Sequence, residues 1–417
     1  MPQAPSRLKK LLPDPGPARA LTYATLANST GRGLFMTASV VFFHKSVGLS
    51  AAEVGLGMTI AAIVGLFAGV PMGYLADKVG PRNITVGFGV LAAVSLLGYF
   101  LVTSWWAFVA VAGLVAFLQA STQAARGALI AGSVPSEQRV RTRAYLRAVT
   151  NVGWTVGAPL AGIALYYDTD PVYYGLIGTA SGFILGGALL NLRVPALPPL
   201  PAAAGVSKVA ALKDRPYLLL TILNAVLTIH YGVFNVAIPL WVVQRTNAPA
   251  WIIAVLGVIN TVMVVTLQVR TSRGSGTVAG AAKAQRFAGL LLLGGCVLYA
   301  LAAEQPVWVA VVALAMGAFV HVLGELFQAS GSWGLSFELA PDHAQGQYQG
   351  LYNTGFQIAD IIAPAVLTTV VVGGGLPGWL LLGAVFATAG LAVPPAARWA
   401  QRTRPSPTSA EAAVAVQ

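Results

Sequence analysis

Long runs of apolar residues alternate along the chain with short polar segments that carry most of its charged side chains. A helix needs about 20 apolar residues to cross the hydrocarbon core of a membrane. The runs are continuously apolar, which favours helices over the alternating strands of a membrane barrel. The pattern therefore predicts an all-α membrane protein with twelve transmembrane helices. The predicted spans are residues 20–43, 51–74, 83–103, 105–132, 144–168, 171–192, 216–243, 250–269, 286–303, 306–330, 347–373 and 376–398.

Composition supports an integral membrane protein. Of 417 residues, 56% are hydrophobic and 9% are charged, whereas soluble domains contain roughly 25% charged residues. Cys296 is the only cysteine, so we expect neither an intramolecular disulfide nor a thiol-ligated metal cluster, and no metal site is predicted. The start of the chain has no short apolar core with a cleavage site, so we expect a retained tail.

The net charge of +12 raises the question of nucleic-acid binding, but the positions of the charges exclude it. With the N-terminus inside, all but four of the 25 Lys and Arg residues fall in the predicted inner loops and tails or near the inner ends of spans. The exceptions are Lys45 and Arg245 outside, and Arg32 and Arg126 within spans. This asymmetry predicts a multi-pass protein with both termini in the cytoplasm. We expect a monomer in a bacterial inner membrane, with the bilayer and a small-molecule substrate as its partners.

The chain repeats itself at about half its length. "VPSEQRVRTRAYLRAVTNVGWTVGAPLAG" resembles "APDHAQGQYQGLYNTGFQIADIIAPAVLT", which aligns Pro135 with Pro341 and Pro159 with Pro364. Repeated six-span halves with a binding site between them are typical of secondary transporters. We therefore predict two pseudo-symmetric six-helix bundles. The predicted segments are an N-terminal tail 1–19, a first bundle 20–192, an inner linker 193–215, a second bundle 216–398 and a C-terminal tail 399–417.

The segment "GYLADKVGPR", between the second and third spans, resembles the loop signature of the major facilitator superfamily. Gly73 and Gly80 permit close approach and a tight turn, and Pro81 suits the first turn of a helix. The resemblance implies that Asp77 gates the inner side by bonding the facing helix ends. A basic residue of the family pattern is replaced here by Pro81, so Arg82 would act without its usual neighbour. The alternative is that these charges only anchor an inner loop.

The fifth span contains "NVGWTVGAPLAG", which resembles a signature of drug:proton antiporters. Gly153 and Gly157 permit close helix packing, and Pro159 leaves a backbone carbonyl to be satisfied by neighbours. The resemblance implies a gating role for these three residues and favours export over import. A second antiporter signature is incomplete, because Ala116 stands at its arginine position beside Gln119.

Ionisable residues within spans are costly and usually mark function. His321 and Glu325 are four residues apart and therefore share a helix face, so we predict that they carry the coupling proton. Asp360 and His230 are further proton-coupling candidates. For each, a purely structural role stays open.

The two arginines within spans predict a different chemistry. Arg32, between two glycines, could receive an anionic group or pair with Asp360 or Glu325. Arg126 is predicted to act as a gate through Asp77 or Glu137. Other polar and aromatic residues of spans one, seven, ten and eleven predict an amphipathic cavity for a medium-sized, partly aromatic ligand. The candidates for substrate binding are Arg32, Asn28, Phe35, Asn224, Tyr231, Asn235, Gln328, Tyr352, Asn353 and Gln357.

The sequence thus predicts a proton-coupled secondary transporter, an exporter of drug-like or secondary-metabolite molecules that works by alternating access. The alternative is a proton symporter that imports a small nutrient, for which Arg32 would favour an anion. We find no nucleophile and base at useful spacing and no phosphate-binding loop, so no catalytic residue or cofactor is predicted beyond protons as the coupling ion. A membrane enzyme or a non-transporting sensor is disfavoured.

Overall fold

The computed structural model describes residues 13, 15–198 and 209–404. Most of the predicted N-terminal tail, the middle of the linker at 199–208 and the C-terminal tail after Arg404 lie outside these residues. The described chain is built from α-helices joined by short turns and a few turns of 3₁₀- or π-helix.

The N-terminal half contains seven helices, because its second predicted span is broken into two. They are α1 Pro17–Lys45, α2 Ala51–Leu66, α3 Gly69–Val79, α4 Pro81–Leu97, α5 Trp105–Ser133, α6 Ser136–Tyr167 and α7 Asp170–Leu190.

The C-terminal half begins with a short helix and contains two π-helical turns, Val233–Ala237 and Leu367–Val372. Its α-helices are α8 Ala210–Lys213, α9 Arg215–Thr228, α10 His230–Gly232, α11 Ile238–Arg245, α12 Ile252–Thr271, α13 Val278–Leu301, α14 Val307–Glu338, α15 Gln345–Val366 and α16 Gly375–Arg402.

The helices fit a protein that crosses the membrane many times. Among the described residues, ten helical segments are long and apolar enough to cross a membrane, and α2 with α3 makes an eleventh if this pair, bent by 45°, is one span. Helix α1 has 29 residues but is not among these segments, since it is less apolar than they are. The all-helical prediction is confirmed, and the structure is consistent with twelve spans.

The fifth predicted span differs from the helix observed. We expected it to begin at residue 144, with Arg143 and Arg147 counted among the inner-loop charges. The helix α6 instead begins at Ser136, so both arginines lie within it. Hydropathy detects only the apolar part of a helix, and the polar first turns of α6 escaped it.

Close packing of small residues joins helices within the N-terminal half. A Cβ atom on Gly153 would lie 2.0 Å from the Ser29 Oγ, and one on Gly157 would lie 2.3 Å from the Thr30 carbonyl oxygen. Glycine at both positions therefore lets α6 approach the backbone of α1.

The repeated prolines occupy equivalent positions in the two halves. Pro135 is the N-cap of α6, and Pro341 precedes the 3₁₀ turn that leads into α15. Pro159 and Pro364 lie inside those same two helices. Helices α6 and α15 are therefore counterparts, as the sequence repeat predicts, and both line the cavity described next.

Candidate functional site

A cavity of about 590 Å³ lies between the two halves and is lined by residues of both. This size falls within the roughly 300–1,000 Å³ usual for small-molecule sites. Its N-terminal wall is formed by α1, α2, α5 and α6, and its C-terminal wall by α10, α14 and α15.

Four arginines line the N-terminal wall. They are Arg32 on α1, Arg126 on α5, and Arg143 and Arg147 on α6. Within the described residues, only Arg147 forms an ion pair, and the Arg143 Nε is buried without a hydrogen-bond partner. Three guanidinium groups therefore face the cavity without a bonded carboxylate.

Asp360 on α15 is the acidic residue of the cavity wall. Its side chain is partly exposed and forms no ion pair among the described residues. Four arginines and one carboxylate give the lining an excess of positive charge. Such a wall attracts an anionic ligand.

Arg147 crosses from one half to the other. Its guanidinium donates to the Glu325 carboxylate on α14 and to the Tyr231 hydroxyl on α10. The pair is poorly exposed, with 17% of the Arg147 side chain and 5% of the Glu325 side chain accessible. The second Glu325 oxygen accepts a 3.0 Å hydrogen bond from the Asn260 Nδ2. This ion pair connects the arginine wall to the interior of the C-terminal half.

His321 and Glu325 share one helix face, as their spacing predicts, but the hydrogen bonds of Glu325 go to Arg147 and Asn260. His321 instead faces His230, with ring centroids 5.4 Å apart. Both imidazoles are completely buried. Their proton-coupling role stays a prediction, but the expected imidazole–carboxylate hydrogen bond is absent from the described residues.

The two halves also meet at the end of the molecule that carries Asp77. The Asp77 carboxylate accepts hydrogen bonds from the backbone N–H groups of Gly346 (2.7 Å) and Gln347 (3.0 Å). Both N–H groups belong to the first turn of α15, where negative charge is stabilised. The acid predicted to act as a gate thus lies on a facing helix end.

Glycines allow α3 and α15 to cross in close contact beside Asp77. A Cβ on Gly73 would lie 2.0 Å from the Gly346 carbonyl oxygen, and one on Gly350 would lie 2.1 Å from the Gly69 oxygen. No side chain fits in that space. Contact between the halves at this end therefore depends on these glycines.

The two arginines predicted to act as gates bond within the N-terminal half in this structure, and their gating role stays a prediction. Arg126 donates to the Thr25 hydroxyl on α1 and not to Asp77, because it lies at the cavity wall. Arg82 donates to the Val194 carbonyl oxygen at 3.3 Å, a contact within its own half. Gly80 has a φ of 101° at the turn before α4, in the region that favours glycine.

The candidate substrate residues divide into two groups. Arg32, Tyr231, Gln328, Asn353 and Gln357 line the cavity. Asn28 lies in a smaller polar pocket beside it, which also contains Arg32 and Arg126.

The remaining candidates lie elsewhere. Phe35 is buried in the aromatic core of the N-terminal half, stacked on Tyr99. Tyr352 packs against Tyr217, and the Asn235 amide donates to the Tyr231 carbonyl oxygen within its own helix.

Asn224 belongs to a buried network of amides. Its Oδ1 accepts hydrogen bonds from the Gln328 Nε2 (2.8 Å) and the Gln285 Nε2 (3.2 Å). These bonds join α9, α13 and α14 behind the cavity wall.

Arg143, Arg147 and Asn260 were not recognised from the sequence. Arg139, Arg143 and Arg147 are spaced by four residues, a pattern that places them on one face of a helix and was available as a signal. Asn260 had no such signal, because its significance depends on the position of Glu325.

A family model described as the Major Facilitator Superfamily matches residues 21–364. The chain is also similar to YdeE of Escherichia coli (strain K12), which is named as an uncharacterized MFS-type transporter. The two are 24% identical over 357 residues, which cover 84% of this chain and 89% of YdeE.

Solved structures with low sequence identity share the fold. The human organic anion transporter MFSD10 (TETRAN) superposes with a TM-score of 0.71 at 13% identity, covering 90% of this chain and 98% of that one. A bacterial homologue of the iron transporter ferroportin, in an outward-facing state, gives a TM-score of 0.72 at 16% identity, covering 93% and 99%.

Proposed function

We propose, for a chain that belongs to the Major Facilitator Superfamily, that it transports organic anions across the membrane and couples this transport to protons. Membership makes the protein a multi-pass membrane transporter and not an enzyme. The single observation that carries the substrate class is the arginine wall, defined by Arg32, Arg126, Arg143 and Arg147.

The arginine wall favours an anion because guanidinium groups bind carboxylate, sulfonate and phosphate through paired, charge-assisted hydrogen bonds. Tyr231, Trp333 and Phe356 line the same cavity and provide aromatic surface for the rest of the ligand. The proposed substrate is therefore a medium-sized anion with an aromatic part. The human neighbour is named for organic anions, but the proposed substrate class follows from the residues of this chain.

We assign the coupling proton to Asp360, one of the four candidates from the sequence. It lies in the cavity wall, where a proton and a substrate can both reach it. Glu325 is instead held by Arg147 and Asn260. A negatively charged substrate repels an ionised Asp360, so a bound anion favours the protonated carboxyl group.

This linkage determines the direction of coupling. Because an anion and a proton bind cooperatively at such a site, they cross together, which is symport and results in uptake. Exchange requires that substrate and proton compete, as they do when the substrate is a cation. Export of drug-like molecules by exchange, favoured by the motif around Gly153 and Gly157, is the second candidate.

The sidedness of the cycle follows from the distribution of basic residues. We place the Asp77 end in the cytoplasm, because basic residues are concentrated in the predicted inner loops and tails. Closure of that end by α3 and α15 gives access from the outside, and rocking of the halves would reverse it.

The proposal is tested in proteoliposomes with permanently charged probes. We expect naphthalenesulfonate to accumulate in the vesicles when the outside is acidic. The matched cation naphthyltrimethylammonium should not accumulate. Neither probe gains or loses a proton in this pH range. Any dependence of uptake on the pH gradient is therefore a property of the protein.

Two other results would contradict the proposal. Uptake of the anion only when the inside is acidic indicates exchange and restores the exporter. Uptake of the cation alone would contradict the anionic substrate class, and the arginine wall would then need another explanation.

A further inference from the structure

Three ionisable side chains that the proposed transport cycle does not use lie together inside the C-terminal half. His230, His321 and Glu325 each place a possible metal-binding atom within 4.8 Å of the others. Both histidines have no exposed surface, and Glu325 is 4% exposed. We call these three residues the His–His–Glu cluster.

The histidines of this cluster lack hydrogen-bond partners. Among the described residues, no hydrogen bond of acceptable geometry reaches the ring nitrogens of His230 or His321, although the Gln328 side chain lies close to His230 and the His230 backbone lies close to His321. A neutral imidazole carries one donor and one acceptor, and an unpaired buried polar atom costs stability. A metal ion that binds one nitrogen of each imidazole would satisfy two of these four atoms.

The type of donor identifies the occupant. Two neutral imidazoles and one carboxylate match the ligand set of zinc sites that keep a fourth position open. Imidazole favours zinc, copper, iron and nickel over calcium or magnesium. The cluster has one negative charge and no thiolate, which suits a divalent ion of the first transition series.

The possible ligand atoms of the His–His–Glu cluster need to move only slightly closer together to bind a metal ion. Ligand atoms at zinc bond lengths are roughly 3.4 Å apart in a tetrahedral site, so no pair of ligand atoms needs to close by more than about 1.4 Å. His230 lies in a short turn of helix immediately before the π-helical turn at Val233–Ala237. Such breaks are frequent at functional sites, and the movement that brings His230 toward the other two ligands would occur at this break.

A route to the cluster passes Arg147. Its guanidinium covers Glu325 and contacts Tyr231, and both Arg147 and Tyr231 line the cavity. A metal ion that binds Glu325 must displace this guanidinium, since both cations compete for the same carboxylate.

We propose that His230, His321 and Glu325 bind a divalent transition-metal ion, with Zn²⁺ the best match, and that its binding releases Arg147 into the cavity. The released guanidinium becomes a fourth free cation of the arginine wall, so metal and anion bind with positive linkage. This linkage rests on the proposed anion transport, whereas the metal site itself does not.

The site is tested on the full-length protein in detergent, purified with a tag that contains no histidine. We expect Co²⁺ to bind at one ion per chain, with the intense visible absorption of a four- or five-coordinate ion, and Zn²⁺ to displace it. His230→Asn and His321→Asn should each weaken binding by more than about 100-fold, since losing even second-shell groups costs about 10- to 100-fold.

The chain offers matched controls, because its other two histidines are His44 and His343. His44→Asn and His343→Asn should leave the Co²⁺ spectrum unchanged. The site is wrong if wild type shows no such spectrum, or if the control variants lose it and the cluster variants keep it.

A further variant is expected to strengthen Co²⁺ binding, a result that misfolding cannot produce. Arg147→Met removes the competing cation, so it should tighten Co²⁺ binding roughly ten-fold, within the usual range of coupling between two ligands. Weaker binding in Arg147→Met would show that the guanidinium organises the cluster and does not compete for it.

The linkage has its own readout. Zn²⁺ should tighten naphthalenesulfonate binding to wild type but not to His230→Asn. If the Co²⁺ spectrum is present and the anion affinity is unchanged by Zn²⁺, the metal site stands and the release of Arg147 is wrong. If naphthalenesulfonate does not bind at all, the proposed transport function fails and the spectrum still decides the metal site.

Discussion

The two halves bring different chemistry to the same cavity. The N-terminal half contributes four arginines from α1, α5 and α6, and the C-terminal half contributes Asp360, Tyr231 and a group of amides from α10, α14 and α15. Permanent positive charge is therefore on one bundle, and a group that can gain a proton is on the other. An anion that contacts both walls connects the two bundles. The charge of the anion and the protonation of Asp360 then determine how readily one bundle rocks against the other.

The largest expected effect comes from the cationic half. Arg126→Met should reduce naphthalenesulfonate transport by about 30-fold or more, since the loss of one partner of a buried charge pair costs roughly 2–5 kcal/mol. Initial uptake rates in proteoliposomes measure this. Arg193→Met is the control, because Arg193 is exposed and outside the cavity. Normal uptake by Arg126→Met would refute the role of the arginine wall.

The role of Asp360 in the C-terminal half is tested by measuring proton-driven uptake and substrate exchange separately. Asp360→Asn should abolish uptake driven by an acidic exterior but retain exchange of labelled for unlabelled naphthalenesulfonate, because only the proton site is removed. Counterflow and gradient-driven uptake are compared in the same vesicles. Glu304→Gln, outside the cavity lining, should behave as wild type. If Asp360→Asn still concentrates the probe, the proton binds elsewhere.

Contact between the halves is tested at the glycine crossing. A Cβ on Gly346 would lie 2.3 Å from the Gly73 carbonyl oxygen, so Gly346→Ala should oppose closure at the Asp77 end. With Gln123→Cys as a reporter in the cavity wall, we expect a several-fold slower reaction with an impermeant maleimide from outside. The native Cys296 is buried and gives little background.

A matched glycine makes this result interpretable. Gly182→Ala adds a methyl group where no atom lies within 4 Å, so labelling should not change. Equal labelling rates in Gly346→Ala and Gly182→Ala would show that the crossing tolerates the extra carbon.

The smallest effect is expected behind the cavity wall of the C-terminal half. Asn224→Ala leaves the Gln285 and Gln328 amides without their shared acceptor, which should lower the free energy of unfolding by about 1–3 kcal/mol. The thermal unfolding midpoint in detergent measures this. Asn235→Ala removes one local bond and should change the midpoint less. A larger shift in Asn235→Ala would mean that the amide network contributes little.

The fold could be predicted from the sequence because the bilayer demands long apolar helices, and the loop at Gly73, Asp77 and Gly80 has a recognisable pattern. The cavity was harder to predict. Membrane helices are apolar on all sides, so their sequence does not indicate which face turns inward. Phe35 and Tyr352 were for this reason assigned to the cavity, although both lie in packed interiors.

Contacts between the halves could not be predicted. Arg147 and Glu325 are 178 residues apart, and their pairing depends on how two bundles dock. Arg143 and Arg147 were counted with an inner loop and not with the cavity, because positive charge near the end of an apolar run resembles an inner loop. Their regular spacing on α6 was the signal that hydropathy obscured.

The unequal distribution of charge has an electrical consequence. The four arginines of the cavity wall face two carboxylates, Asp360 and Glu325, so the empty carrier holds excess positive charge within the membrane. A charge that crosses the whole membrane field gains about 2.3 kcal/mol per 100 mV. Reorientation of the empty protein is therefore expected to respond to voltage, and a membrane potential that is negative inside would hold its binding site toward the cytoplasm.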